Sequence, residues 1–303
     1  MTIFYMMVGI AGSGKSYVAE NIAKETGAVI ISSDALRLEL FGNENEQSRN
    51  NELFNEAYKR VRDLLKKGKS VIFDATNLLK KERIHLLGSL KGCRKVCVCV
   101  MTPYEDCLEQ NRMRKRKVND DVIRRMYLTW TPPHKHEGFD EIVPVFNFVN
   151  ADIDDYNINN FLYGNTYAAE IPHDNFHHSL TIGKHCIEAY EYAVKHFPHD
   201  PVLTACILHD CGKPFAKSGP DKNGQCHFYG HENCGSYDAM FYAACHGFST
   251  NDMLDIANLV YFHMRPITAW SESEKAREKD RKLVGEEMYK WICEVSEADT
   301  SAH

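Results

Sequence analysis

Two short stretches carry residue types from which chemistry is made. "GIAGSGKS", residues 9–16, sets glycines ahead of Lys15 and Ser16 and matches G-x-x-x-x-G-K-[ST]. In that pattern the backbone N–H groups of Gly9, Gly12, Ser13 and Gly14 can curl around phosphate oxygens. Lys15 then brings a point charge to the β/γ-phosphates and the Ser16 hydroxyl reaches Mg²⁺. The expected ligand is ATP or another nucleoside triphosphate. "CILHDCGKPF", residues 206–215, sets His209 beside Asp210 after an apolar run. Imidazole with carboxylate suits a divalent transition metal, Mn, Co, Ni, Fe or Zn, better than Mg. The first stretch implies adding phosphate, the second removing it.

Further residues in the first half fit a phosphoryl transfer. "SSDALR", residues 32–37, puts Asp34 just beyond an expected strand, where a substrate hydroxyl would need a base. Arg37, one turn on, can clamp an acceptor phosphate. Ser33 or Asp34 is equally a good helix N-cap. "VIFDATN", residues 71–77, places Asp74 where a carboxylate can hold Mg²⁺ or its water; Thr76 and Asn77 can cap the next helix. "RMRKRK", residues 112–117, has five cations in six positions. Arg112 and Arg116, four apart, are expected to share a helical face and to act as a lid over the moving phosphoryl group. The other reading is a solvated helix face.

In the second half the question is whether scattered ligands converge. Only His85, His134 and His136 of the 15 histidines precede residue 173. Ile182, His185 and Ala189 share a helical face; so do Ile256, Leu259, Val260 and His263. Val284, Met288, Trp291, Val295 and Asp299 continue one apolar stripe. A carboxylate aimed into a core is costly unless it is paired or bound to metal. One buried divalent cation would satisfy His185, His209, Asp210, His263 and Asp299 together. His231, just after a glycine in "FYGHE", is a candidate ligand for a second metal. Each histidine taken singly also reads as a hydrogen-bonded core residue.

The elements that must position these groups follow from periodicity. Expected strands at 3–8, 28–32, 70–73, 95–101 and 145–149 alternate with amphipathic stretches near 15–26, 49–67, 78–90 and 104–117. That alternation argues for an α/β fold, a parallel sheet with helices on both faces, binding ligand at the strands' carboxyl ends. From about 176 the pattern is helical throughout, implying an all-α second domain. Residues 150–175 are polar and lack a period. The expected spans are therefore 1–150, a connector at 151–172, and 173–303.

Composition narrows the class. A chain of 303 residues fits two domains at roughly 100–200 residues each. The net charge of −6 argues against a molecule that is basic overall, so nucleic acid would be met by local charge. Eleven cysteines without a CxxC pair fit a reducing compartment, and a cytoplasmic location is expected. No apolar run approaches the ~20 residues of a membrane helix. "IFYMMVGI" lacks a basic leader and reads as the first strand.

Residues 1–150 resemble the P-loop kinases that phosphorylate the 5′-hydroxyl of nucleic acids. The matching pieces are "GIAGSGKS", "SSDALR", "DATN", "NRMRKR" and "TPPHKHEGFDEI". The resemblance implies ATP and Mg²⁺ at Lys15 and Ser16, and Asp34 as general base. Arg37 would hold the acceptor's 3′-side phosphate, and Arg112 or Arg116 the donor phosphates. Residues 176–303 resemble the HD phosphohydrolases, through "HHSLTIGKH", "LHDCGK", "FYGHENCG", "LVYFHM" and "EADTSA". This resemblance implies metal ligands His185, His209, Asp210 and Asp299, with His231 and His263 serving a second metal. Lys213, and His177 or His178, would contact a substrate phosphate. Lys213 also reads as a surface lysine, the histidine pair as a helix cap. Together the halves are similar to bacterial HD–polynucleotide kinase proteins of RNA repair. The implied activity heals RNA or DNA ends: a 5′-hydroxyl is phosphorylated and a 2′,3′-cyclic or 2′/3′-phosphate is hydrolysed, with an RNA ligase as candidate partner. The alternatives are a metabolite kinase fused to a nucleotidase, and a nucleotide-sensing module.

Overall fold

The computed structural model of the chain describes residues 1–164, 166–175 and 179–302. Two compact units emerge: residues 1–123 with 137–147, and residues 124–136 with 148–303. Residues 124–136, inside the span 1–150, thus cluster with the second unit. They are tied there by Asn233 Nδ2, which donates to Trp130 O at 2.7 Å, and by His136 Nδ1, 3.0 Å from Leu283 O. Glu137 returns the chain to the first unit through a buried two-point pair with Arg83, each contact 2.7 Å. Cutting either partner would strand a buried charge, at a cost of about 3–5 kcal/mol.

The first unit runs β1 (Thr2–Val8), α1 (Lys15–Thr26), β2 (Val29–Ser32), α2 (Ser33–Phe41), α3 (Asn50–Lys66), β3 (Val71–Asp74), α4 (Lys80–Ser89), β4 (Cys93–Met101), α5 (Tyr104–Met113) and, after α6 (Asp120–Tyr127), β5 (Glu141–Phe146). The five strands pair in parallel in the order β2-β3-β1-β4-β5. Met6, Ile72 and Cys97 are fully buried, as a sheet covered on both faces requires. Because β1 is central, its carboxyl end opens where the chain turns to opposite sides, the usual ligand crevice of such sheets.

Three local expectations are corrected. The fifth strand is Glu141–Phe146, not 145–149. Pro144 lies within it, tolerated because an edge strand leaves one row of N–H groups unpaired. The helix expected over 104–117 stops at Met113, with Arg114 extended (φ −74°, ψ 151°). Asn111 closes the loop that follows, donating to Val118 O and accepting from Val118 N at 2.7 and 2.9 Å. Arg112 and Arg116 therefore share no helical face. The cap of α2 is Ser32, whose hydroxyl accepts from Ala35 N, rather than Ser33 or Asp34.

The second unit is helical: α7 (Ile158–Tyr163), α8 (Ile182–His196), α9 (Asp200–Leu208), α10 (Lys213–Ala216), α11 (His231–Cys245), α12 (Thr250–Phe262), α13 (Ala269–Glu272), α14 (Glu274–Val284) and α15 (Glu286–Ser301). α8 buries Ile182, His185, Cys186, Ala189 and Ala193, so His185 lies on the core face. Gly285 separates Val284 from α15, and the buried stripe there is Met288, Ile292, Val295 and Asp299. Trp291 is one position off it and packs on His199 with centroids 5.3 Å apart. The stripe still delivers Asp299 inward. All eleven cysteines are free, and no helix among the described residues is long and apolar enough to cross a membrane.

Candidate functional site

The phosphate loop leaves β1 and enters α1, with Gly9, Gly12 and Gly14 all at positive φ. At Gly12 a Cβ would meet Cys107 O at 2.2 Å, so only glycine lets the loop approach α5 this closely. The loop is pinned from outside: Thr102 Oγ1 and Asn147 Nδ2 donate to Ser13 O at 2.9 and 3.4 Å. Lys15 is buried and donates to Ile10 O at 2.7 Å. Burial lowers its pKa, while Asp74 pulls the other way. Ser16 Oγ donates to Asp74 Oδ2 at 2.8 Å. A hydroxyl from the first turn of α1 and a carboxylate from the end of β3 thus meet beside the loop, the donor set that suits a small hard cation.

Asp34 opens α2 and is held by two arginines. Arg37 Nη1 reaches its Oδ1 at 3.0 Å, and Arg116 Nη1 reaches its Oδ2 at 2.5 Å. Arg37 is itself buried and also donates to Asn50 Oδ1 at 3.0 Å. Arg112 is not brought to this group: it is exposed and pairs with Glu109 and Asp120 at 3.7 and 3.4 Å.

In the second unit the separated histidines meet. His209 closes α9, and Asp210 follows it in the turn to α10. At Gly212 a Cβ would meet His231 O at 2.1 Å, so this glycine lets the turn press against the start of α11. His209, His231 and His263 each bring Nδ1 to the backbone carbonyl three residues back, Cys206, Phe228 and Val260, at 2.8, 2.8 and 2.6 Å. A carbonyl can only accept, so Nδ1 carries a proton in all three. Nε2 of His231 and His263 is left as a lone-pair donor, while Asp210 beside His209 favours a proton on its Nε2 that a bound cation would displace.

Those nitrogens converge on Asp210. Its Oδ2 lies 3.4 Å from His209 Nε2 and 3.8 Å from His185 Nε2. Its Oδ1 lies 3.4 Å from His231 Nε2 and 3.7 Å from His263 Nε2. Asp299 Oδ1 completes the first side, 2.9 Å from His185 Nε2 and 3.5 Å from His209 Nε2. His185, His209 and Asp210 form one group that can hold a metal ion, and Asp210, His231 and His263 a second, sharing the aspartate. The buried atoms Asp210 Oδ1, Asp210 Oδ2 and His209 Nε2 make no well-aligned hydrogen bond. Asp210 Oδ2 is offset by the Lys213 ammonium at 2.6 Å, but buried carboxylate oxygens facing several imidazole nitrogens still fit a cation pair.

The charges are arranged accordingly. Burial alone would raise the Asp210 carboxyl, but the Lys213 ammonium and His209 hold it well below the usual carboxylate range. Asp299 is likewise held far down against its burial, by His209 and His185. Burial pushes His231 down to about 3 and His263 to about 4, which keeps both imidazoles neutral, the form that binds metal.

Lys213 is not a surface lysine. It is buried, with Nζ 2.6 Å from Asp210 Oδ2 and 3.1 Å from His173 Nε2. His177 and His178 lie outside the described residues. Sequence reasoning missed His173, Thr102 and Asn147. The buried His173 sits in a polar segment with no periodicity to announce its direction; its Nδ1, 2.8 Å from Leu180 O, leaves Nε2 to accept from Lys213.

Fold and sites define a P-loop, kinase-like α/β domain followed by a helical HD domain, and the pairing indicates an enzyme. Residues 4–133 match the family model described as an AAA domain, and residues 182–299 match that of the HD domain. No curated protein shows a significant match. Among solved structures, the chain is similar to one in the "Structure of the Pnkp1/Rnl/Hen1 RNA repair complex". There identity is 22%, 41% of this chain and 42% of that chain are covered, and the TM-score is 0.37. A putative kinase from Chloroflexus aurantiacus j-10-fl is 14% identical over 50% of this chain and 92% of its own, TM-score 0.39. A gluconokinase from Sinorhizobium meliloti 1021 is 20% identical over 48% and 82%, TM-score 0.36. The chain thus spans less than half the length of the RNA-repair chain.

Proposed function

We propose that this chain is a bifunctional end-healing enzyme for RNA, phosphorylating 5′-hydroxyl ends and hydrolysing 2′,3′-cyclic phosphate or 2′/3′-phosphate ends. The observation that carries the reading is the pairing of two charge constellations on one chain. Asp34 lies between Arg37 and Arg116, within electrostatic reach of Lys15. Asp210 presents one oxygen to each of two histidine groups. Ribonuclease-type breaks leave both kinds of end, and sealing needs both repaired.

In the kinase reading, the loop N–H groups and Lys15 hold the nucleoside triphosphate. Ser16 and Asp74 would hold Mg²⁺, which spreads charge off the transferring group. The 5′-hydroxyl oxygen attacks the γ-phosphorus, its proton passes to Asp34, and the nucleoside diphosphate leaves. Arg37 holds the acceptor's phosphate. Arg116 is the lid cation that reaches the site; Arg112 has no part in the reading beyond its place in the basic run.

In the hydrolase reading, His185, His209, Asp210 and Asp299 would hold one divalent cation and Asp210, His231 and His263 the other. A cation pair held by these residues would supply water made nucleophilic near neutral pH and positive charge for the leaving oxygen. Lys213 offers its ammonium to the substrate phosphate, oriented by Asp210 and His173.

The test is one RNA bearing a 5′-hydroxyl and a 2′,3′-cyclic phosphate, incubated with ATP, Mg²⁺ and Mn²⁺. Gain of label at one end and loss of the cyclic phosphate at the other are expected. Folded, metal-loaded protein that changes neither end overturns the reading. The net charge of −6 favours a second reading, a small-molecule kinase fused to a nucleotidase. Phosphorylation of a free nucleoside but of no oligonucleotide would select it. The products of end healing are the substrates of an RNA ligase, the partner class this reading implies.

A further inference from the structure

The histidine–aspartate cluster lines the buried part of a cavity of about 1090 Å³ within the second unit. Small-molecule sites typically measure ≈ 300–1,000 Å³, so there is room here for a phosphate and the group esterified to it. What that group is can be read from the exposed part of the lining. Tyr229 lines the same cavity, yet it is 79% exposed.

Its position is held by the chain on both sides. Phe228, just before it, has its ring 5.4 Å from Lys213 Nζ, and its carbonyl is the one His231 Nδ1 bonds. Gly230, just after it, turns the chain in the left-handed region (φ 80°) into α11 and His231. One face of the Tyr229 ring stacks on His227, centroids 5.4 Å apart and planes 12° from parallel. His227 is steadied in turn by Asp221, 3.2 Å from its Nε2. A flat ring is therefore backed on one side, anchored two residues from a candidate metal ligand, and presented to solvent at the cavity wall. The ligand that complements such a surface is another flat, polarisable ring.

We propose that Tyr229 stacks on the nucleobase of the terminal nucleotide whose phosphate the cluster hydrolyses. The substrate class of the second unit is then nucleotide ends of any base, not sugar phosphates. Stacking tolerates all four bases because each has a π-face. The proposal rests on the hydrolase reading above and adds the base as the recognised group.

The test compares a ribonucleoside 2′,3′-cyclic phosphate with the abasic ribose 2,3-cyclic phosphate, using the full chain loaded with Mn²⁺. In the unaltered protein the nucleotide should have a KM about tenfold lower than the abasic compound, the scale of one stacked base. Tyr229→Ala should raise the nucleotide KM by about that factor. It should leave kcat and the abasic KM unchanged, and Tyr229→Phe should restore the nucleotide KM. Equal KM values for both compounds in the unaltered protein, or an equal rise for both in Tyr229→Ala, would overturn the proposal. If neither compound is cleaved, the hydrolase reading fails instead. Stacking is then read directly, as quenching of 2-aminopurine riboside 3′-phosphate fluorescence that Tyr229→Ala must abolish; unquenched probe, or quenching kept in the variant, overturns it.

Discussion

Asp299 Oδ1 lies 2.9 Å from His185 Nε2, although the two residues are 114 apart in the chain. The contact joins α8 to α15 and closes one side of the Asp210 cluster. It is the geometry an apolar stripe ending in a carboxylate implied, and it makes the ligands testable one by one.

Asp210 is common to both candidate metal groups, so Asp210→Asn should strip bound metal from both. His185→Ala and His263→Ala should each remove about half. Metal analysis of the purified proteins checks the stoichiometry. Phosphoester hydrolysis in Asp210→Asn should fall at least ~100-fold, with 5′-end labelling unchanged.

Metal should also stabilise the fold, since it binds the native cluster and not the unfolded chain. At a Mn²⁺ concentration 100 times its Kd the gain is about 2.7 kcal/mol. A rise in Tm with Mn²⁺, reversed by chelation and missing in Asp210→Asn, is the expected outcome. A Tm indifferent to Mn²⁺ would speak against a metal centre.

Lys15→Ala should abolish nucleotide-dependent labelling, by at least ~100-fold, and spare hydrolysis. A filter-binding measurement with ATP separates lost binding from lost turnover. If this change also removed hydrolysis in folded protein, the two activities would not be independent.

The two arginines of the basic run should behave differently. Arg116 contacts Asp34, whereas Arg112 pairs only with exposed Glu109 and Asp120. Arg116→Ala should lower kinase kcat/KM about tenfold or more, the scale of a lost charge-assisted contact. Arg112→Ala should change it less than about twofold, since exposed pairs contribute little. Equal losses would mean that the loop rearranges when the donor binds.

Stability should depend on pH through Asp238. Burial pushes its carboxyl up to about 7, against the Tyr127 hydroxyl that donates to its Oδ2 at 2.5 Å. The folded pKa lies above the unfolded value near 3.9, so the folded state holds the proton more tightly. The contribution is complete below about pH 4 and is lost as pH rises through about 7. Asp238→Asn should flatten that part of the urea-denaturation profile between pH 5 and 8. A variant whose profile matches the parent would place the titration elsewhere.

Much of this was legible in the residues themselves. The phosphate loop, the His209–Asp210 doublet and the Asp299 stripe rest on local spacing, where each side chain's direction follows from helix or strand period. The basic run was not legible. Its helix ends at Met113 because Asn111 closes a loop onto Val118, a contact no periodicity records. Arg116 consequently reaches Asp34 while Arg112 faces solvent. His173 escaped for the same reason, having no element of its own to orient it.

By itself the sequence determined the alternation of strands and helices, the phosphate cradle after the first strand, and the inward faces of the helices bearing His185, His263 and Asp299. Local stereochemistry and the burial of apolar stripes suffice for these. Tertiary structure alone decided that Asp210 turns one oxygen to each of two histidine groups, that Lys213 and His173 join them, and that Ser16 meets Asp74. Apart from the Lys213–Asp210 pair, three residues apart, each depends on the packing of chain segments far apart in sequence, which fixes side-chain distances to within an ångström where periodicity fixes only a direction.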